Sequence, residues 1–488
     1  VVVQVWRVSC REGGMRLQQL LVGVGCKIYG NDDVEVTSLC CDTSKVSRGC
    51  LFFCLNGKNY DGHEMIVKAL GDGAVGVVCE RKLDTEALQI VVPSSRSAMA
   101  ICAKNFNDCV ADKMKIVSIV GTNGKTSTSY ILNAILCRHG IDCGVIGTNG
   151  VFFGGKKYSS SLTTPDPIEL HNWLKLMYLA KVRSVIVEVS AHAIALSKMS
   201  GICAEAAIFT NFSQDHLDYF GTMQKYAEVK KSYFCRDYVR NAVVNVDDEL
   251  GKQIAADCPC VTYSAKGDAD VFAENVKVTE DGIIFVLNAF GQKAVIKSRL
   301  GGLFNVYNIL AAAACAVAMG IPMEIVAAAV SELDKIDGRN EKYVLPNGAK
   351  IIVDYAHTPD GIDNVLSYLR DNCNGKLIVV FGCGGNRDKF KRPLMAKAVS
   401  KYADFAVITN DNPRYEDPKT IAEDILYGMS CPCKVVLNRK QATEYAASVA
   451  ESNDVVAVLG KGAERYQEVR NKKLPYSDSD TVLELINR

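Results

Sequence analysis

SIVGTNGKTST, residues 118–128, places a glycine-rich turn between two periodic segments. Ahead of it KMKIVSIV reads as a short apolar strand. Behind it TSTSYILNAILCRHG has helical spacing and ends at Gly140. Strand, glycine turn and helix together form a phosphate cradle. Gly121 and Gly124 let the backbone turn with its amides exposed, Lys125 brings a point charge, and the Thr126 hydroxyl suits magnesium. A full Walker A run would need glycine at position 119, where Ile119 stands, so the match is to a shorter variant, GTNGKT. A purely structural turn would leave the Lys-Thr pair without a task.

A bound nucleoside triphosphate requires a divalent cation, so oxygen or imidazole ligands are expected at neighbouring strand ends. Glu188 ends the apolar run SVIVEVS, where an acid is costly unless it meets a cation. Asp215 and His216 follow the strand-like AEAAIFTN in NFSQDHLDYFG, and Lys230 comes soon after in YAEVKKSYF. Further on, VDYAHTPDG carries Asp354 and His357, and TNDNPRYED carries Asp411, Asn412, Pro413 and Arg414. A planar guanidinium on that loop can grip a carboxylate with two hydrogen bonds, unless it pairs with Glu416 or Asp417 as a surface ion pair. In FGCGGNRDKFKRP the glycines 382, 384 and 385 invite a dinucleotide reading. The third glycine of GxGxxG would fall at Arg387, so the fingerprint fails. Arg387, Lys389, Lys391 and Arg392 instead form a basic loop suited to an anion.

The chain has 488 residues, and its 56 Lys and Arg nearly cancel 55 Asp and Glu. Bulk charge therefore argues for neither nucleic acid nor an anionic membrane as partner. Nowhere do 18 apolar residues run together, and VVVQVWRV at the start is too short for a signal core, so a cytoplasmic protein is expected. The 20 cysteines are scattered, without CxxC or zinc-ligand spacing, and most sit in apolar runs as small reduced hydrophobes. An α/β architecture of three domains follows from the pattern. Residues 15–97 form a small α/β domain, 98–335 a central P-loop domain that binds the mononucleotide, and 336–488 a Rossmann-like parallel-sheet domain. Residues 1–14 fit none of these and stand apart as an extension.

Taken together, these segments resemble the Mur ligase family, and within it the branch that adds 2,6-diaminopimelate. The likeness runs from Met15 onward through DTSKVSRGCLFFCLNGKNYDGHEMI, GTNGKTS, LTTPDP, VEVSAHA, TNFSQDHLDYFGTMQKYAEVKKSYF, FNVYN, DGRNE, VDYAHTPD, GCGGNRDKFKRP, DNPR and GKGAERYQ. The resemblance implies an ATP-dependent ligase of peptidoglycan precursor synthesis, acting on UDP-N-acetylmuramoyl-L-alanyl-D-glutamate and meso-diaminopimelate through an acyl phosphate, as a monomer. It implies ATP contacts at Gly121, Thr122, Asn123, Gly124, Lys125, Thr126, Ser127, Asn305, Asn308, Arg339 and Asp354. Thr126 and Glu188 would serve one Mg²⁺, and His216 with Lys230, the latter carbamylated, a second. Lys125, His216 and Lys230 would be the catalytic set. Thr43 and Ser44 match positions near the uridine nucleotide, while Thr163, Thr164, Ser190 and Lys198 match positions near the muramoyl peptide. Arg387, Asp411, Asn412, Pro413, Arg414, Gly460 and Glu464 match the diaminopimelate site.

The chain departs from the family pattern at Ala191, Leu196, Lys198, Phe220, Asn340 and Ala463. None of these removes a group the reaction needs. Two alternatives stand beside this reading: the lysine-adding form of the same ligase, against which DNPR argues, and a P-loop ATPase or nucleotide-binding regulator. The latter would leave Arg387, Arg414 and the N-terminal block without tasks.

Overall fold

A computed structural model of the chain describes residues 13–57, 60–160 and 162–487. VVVQVWRV, and the proposed extension apart from Gly13 and Gly14, lie outside the described residues. Two compact units interleave along the sequence. The first takes the chain up to Ile119 with Ile141–Ala207 and Ser232–Ala242; the second takes Val120–Gly140, Ile208–Lys231 and everything from Val243.

In the first unit, short runs of apolar residues pair into a five-stranded sheet in the order Lys27–Tyr29, Leu88–Val91, Gly76–Cys79, Cys50–Phe53, Ser38–Cys40. The last four strands are parallel and the first is antiparallel. Successive side chains face opposite sides of a strand. Leu51 and Phe53 accordingly enter one core with Met99 and Cys102, whereas Cys50 and Phe52 enter another with Ile66 and Cys79. The cysteines thus act as small hydrophobes, and all those in the described residues are free thiols. The same unit pairs Cys143–Gly147 parallel to Ser184–Val189 and continues outward through the antiparallel strands Gly150–Phe153 and Lys156–Tyr158.

In the second unit, Gly124, at φ 82°, turns the chain into helix Lys125–Arg138. Helix Leu303–Ala318 packs on it, its run of alanines allowing close approach. An antiparallel meander of Val271–Thr279, Gly282–Ala289 and Gln292–Ser298 follows strand Cys260–Ser264. The same unit contains a six-stranded sheet ordered Glu341–Val344, Lys350–Asp354, Val455–Leu459, Leu377–Phe381, Phe405–Ile408, Cys433–Val435, parallel except for its first strand. Val379 and Phe381 face a core built with helices Pro359–Asp371, Lys391–Tyr402 and Pro418–Leu426. Ile378 and Val380 face another with helices Arg439–Val449 and Asp478–Ile486. Covered on both faces, this sheet presents the carboxyl ends of its parallel strands as the natural binding edge. Among the described residues no helix is long and apolar enough to cross a membrane.

Candidate active site

In the second unit the glycine turn is braced by side chains that follow strand Ala204–Phe209. Thr210 donates to the Asn123 carbonyl at 2.7 Å, and the Asn211 side chain accepts the Asn123 amide at 2.9 Å. A β-carbon at Gly121 would fall 1.8 Å from the Thr210 hydroxyl, and one at Gly124 would fall 2.4 Å from Asn308 Oδ1. Glycine is therefore required at both. Lys125 folds back so that its ammonium donates to the carbonyls of Gly121 and Thr122 at 2.9 and 2.8 Å. Arg339 reaches the Thr126 hydroxyl at 3.0 Å and stacks on Tyr355, with 4.4 Å to the ring centroid. Asn308 donates to Asn305 at 2.9 Å, and Ser127 lies buried in the first helical turn. Asp354, at a strand end, accepts the amides of Asn340 and Ala356 at 2.6 and 2.7 Å. Its burial raises its pKa despite the Arg339 charge.

Lys230 is fully buried, donates to the Thr122 hydroxyl at 2.9 Å, and lies over the Tyr226 ring at 4.5 Å. Burial and the nearby Lys125 cation push its amine well below the ordinary lysine range, against the opposing pull of Asp215 and Asp248. His216 sits at φ 57° beside Asp215, with 3.3 Å between Nε2 and the carboxylate. Burial opposes the ionisation of Asp215, yet Lys391, His216 and His357 hold its carboxyl below the usual range. Lys391 contacts it at 3.2 Å. Burial and Lys391 in turn lower His357 to about 4, so this imidazole stays neutral.

The remaining expected residues of the second unit converge at the ends of three parallel strands. Gly385 donates to the Asn412 carbonyl at 2.9 Å, and the Arg414 guanidinium donates to the Gly385 carbonyl at 2.8 Å. Asn412 donates to Glu464 at 3.1 Å, and the buried Lys461 joins both, at 3.1 and 2.7 Å. Asp411 caps the Asn412 amide at 2.7 Å; Gly460, at φ 112°, would bring a β-carbon within 2.9 Å of that carboxylate. Pro413 packs against Gly385, and the Arg387 stem lies alongside Gly384. Arg414 pairs with neither Glu416 nor Asp417. Its partner is Glu468 at 2.9 Å, while Glu416 is taken by the fully buried Arg392 at 3.0 Å. The basic loop thus divides, with Lys391 and Arg392 spent on carboxylates and Arg387 kept at the strand ends.

In the first unit, Thr148 donates to the buried Glu188 carboxylate at 2.9 Å and lies 3.2 Å from the Thr163 hydroxyl. Thr164 donates to the Glu188 carbonyl at 2.8 Å and accepts the Ser190 amide at 3.0 Å. Ser190 caps the short helix Ala191–Ala195. Lys198 reaches the Thr164 carbonyl at 3.1 Å and Asp166 at 2.9 Å, which ties down the threonine loop. In the turn Thr43–Lys45, Asp42 accepts the Ser44 amide and hydroxyl at 2.9 and 2.8 Å. Thr43 is half-buried and Ser44 exposed.

Three family models match in sequence: the Mur ligase family catalytic domain over 35–119, the Mur ligase middle domain over 119–316, and the Mur ligase glutamate ligase domain over 338–462. A relative from Caldanaerobacter subterraneus subsp. tengcongensis, named UDP-N-acetylmuramoyl-L-alanyl-D-glutamate–2,6-diaminopimelate ligase, is 37% identical over 97% of this chain and 99% of its own. The chain belongs to the Mur ligase family. A ligase of the same name from Geobacillus kaustophilus is 38% identical over 95% of this chain and 98% of its own. A solved structure of a ligase with that name superposes on this Mur ligase with a TM-score of 0.69 at 29% identity, covering 97% and 99% of the two chains. MurF from Thermotoga maritima, solved with ADP, shares the fold at a TM-score of 0.61 and 19% identity, over 92% and 96% of the two chains. The α/β expectation of three domains is met in this Mur ligase.

Several residues of this Mur ligase's site carried little signal of their own. Thr210 and Asn211 were legible only as polar residues after an apolar strand. Lys461 stands in GKG as a lysine entering a buried strand end. Glu468 lies in an unremarkable polar hairpin, Tyr466–Val469 with Lys472–Pro475.

Proposed function

We propose that the chain is a ligase of the MurE type, which adds meso-diaminopimelate to UDP-N-acetylmuramoyl-L-alanyl-D-glutamate at the expense of ATP. It would act in the cytoplasm as a monomer. The observation that carries this is full-length similarity to ligases of that name, joined to an arginine-bearing loop, Asp411–Arg414, at the strand ends.

The D-glutamate γ-carboxylate attacks the ATP γ-phosphate, forming an acyl phosphate and releasing ADP. The amine of diaminopimelate then attacks the acyl carbon, and inorganic phosphate and a proton leave as the amide forms. Positioning and charge neutralisation supply the acceleration, so no protein nucleophile is required. Lys125, held on the loop carbonyls, turns its ammonium from them to donate to the arriving phosphates, with the amides of residues 121–127 around them. Asn305, Asn308, Arg339 and Asp354 complete the ATP contacts.

The lowered basicity of Lys230 favours the neutral form of its amine, the form that adds to carbon dioxide to give a carbamate and release one proton. Burial of a lysine without a carboxylate in its grip favours this exchange of a cation for an anion. Thr126, Glu188, His216 and the Lys230 carbamate are the residues that would hold magnesium; the buried carboxylate of Glu188 and the hydroxyl of Thr126 are hard oxygen donors that fit it. Magnesium, when bound, neutralises phosphate charge. Thr43 and Ser44 are assigned to the uridine nucleotide, and Thr163, Thr164, Ser190 and Lys198 to the muramoyl peptide. Arg414 takes the distal carboxylate of diaminopimelate and Glu464 its distal ammonium, with Arg387, Asp411, Asn412, Pro413 and Gly460 shaping the site.

Product analysis after incubation with the UDP-dipeptide, ATP, Mg²⁺ and either meso-diaminopimelate or L-lysine tests this reading. The expected outcome is ADP with the diaminopimelate tripeptide, and strong preference over lysine. Lys230→Ala should be nearly silent in the same assay and partly restored by short carboxylic acids. Comparable use of lysine, or ATP turnover without an acceptor, would overturn the assignment.

A further inference from the structure

Arg414 occupies the left-handed region, at φ 53°, a conformation that a long side chain adopts only when its surroundings impose it. The imposing element is the hairpin that contains Glu468. The Arg414 amide donates to the Glu468 carbonyl at 3.0 Å, and the Arg470 amide donates to the Arg414 carbonyl at 2.9 Å, so the loop adds one bridge to the hairpin edge. The Glu468 amide donates to Asn412 Oδ1 at 2.8 Å, and the Gln467 side chain to the Asp411 carbonyl at 2.9 Å. The Glu468 carboxylate then accepts from Arg414 Nε at 2.9 Å, while Nη1 donates to the Gly385 carbonyl.

We propose that Glu468 is a positioning residue that sets the amino-acid specificity of the ligase by fixing which edge of the Arg414 guanidinium faces the incoming substrate. A guanidinium can receive a carboxylate on its side, through Nε and one Nη, or on its end, through both Nη atoms. Glu468 holds Nε, which closes the side and directs the distal carboxylate of diaminopimelate to the end. The inference rests on the proposed diaminopimelate reading and adds the residue that aims its arginine. Both side chains are partly buried, Arg414 at 20% and Glu468 at 26% exposed, so the pair is screened less than a surface pair.

The test begins with the wild type, whose failure to use diaminopimelate would end the parent reading and this one together. Given that use, Glu468→Ala should raise KM for diaminopimelate about tenfold or more, because a carboxylate that loses one charge-assisted hydrogen bond binds more weakly by roughly that factor. kcat and the KM values for ATP and the UDP-dipeptide should stay within about threefold, and the preference over lysine should narrow. Glu468→Gln keeps an acceptor for Nε and should restore most of the affinity. On an Arg414→Ala background Glu468→Ala should have no further effect on KM for diaminopimelate. Should Glu468→Ala fail to fold, Glu468→Asp replaces it: one methylene shorter, it loses Nε and should show the same KM shift. An unchanged KM for diaminopimelate, or equal rises in all three KM values, would overturn the proposal.

Discussion

His171 lies in helix Pro167–Leu179 with no exposure, and neither ring nitrogen has a hydrogen-bond partner. Burial, reinforced by Lys104, lowers its pKa from 6.5 to about 3. The unfolded chain therefore takes up a proton at this residue as the pH falls below about 6.5, whereas the folded chain stays neutral until about 3. Stability from this residue is retained above the upper value and lost progressively toward the lower one, at a limiting rate of about 1.4 kcal/mol per pH unit. His171→Leu removes both the titration and two buried polar atoms without partners. Urea unfolding of wild type and variant at pH 7, 6 and 5 should show the variant pulling ahead as the pH drops. Parallel stabilities across that range would refute the assignment. The same physics, burial of a basic group, lowers the basicity of Lys230.

At the scale of elements, the two loops proposed to carry the amino-acid end of the site meet face to face. Gly385 lies so close to the next loop that a β-carbon would fall 2.0 Å from the Pro413 carbonyl. Gly385→Ala should push the loops apart, raising KM for diaminopimelate by about tenfold or more while nucleotide binding, followed by calorimetry with ADP, stays near wild type. Loss of both together would mean that the loop supports the whole second unit instead. Gly382 and Gly384 likewise lie against Thr409 and Arg414, so the three glycines that lack a dinucleotide fingerprint admit neighbouring protein. Glycine turns, strand ends and the polar residues they deliver were legible from residue type and spacing, because backbone conformation and burial are local constraints. What could not be read was partnership between distant segments. The Arg414 partner 54 residues onward, and the division of the basic loop between Asp215, Glu416 and the strand ends, depend on how sheets are stacked and not on any neighbouring letter.

For the whole molecule, the six-stranded sheet is continuous in sequence and owns cores on both faces, with an inner ion pair, Arg439 to Asp478 at 2.8 Å, fully buried. Residues 336–488 are accordingly proposed to fold alone. Expressed by themselves they should show one cooperative urea transition and α/β circular dichroism, whereas a gradual, uncooperative melt would show that the sheet needs the preceding helices. Around it, each compact unit is assembled from three separated stretches. On the ribosome this imposes an order. The first unit lacks its last stretch until Ala242 has emerged. Until then the unit is without Tyr233, which is fully buried in the finished protein with its hydroxyl 2.8 Å from that of Ser118. The nascent chain is most exposed to chaperones and to aggregation in that interval, and slow codons placed there would hurt the yield of this protein more than the same codons near its end.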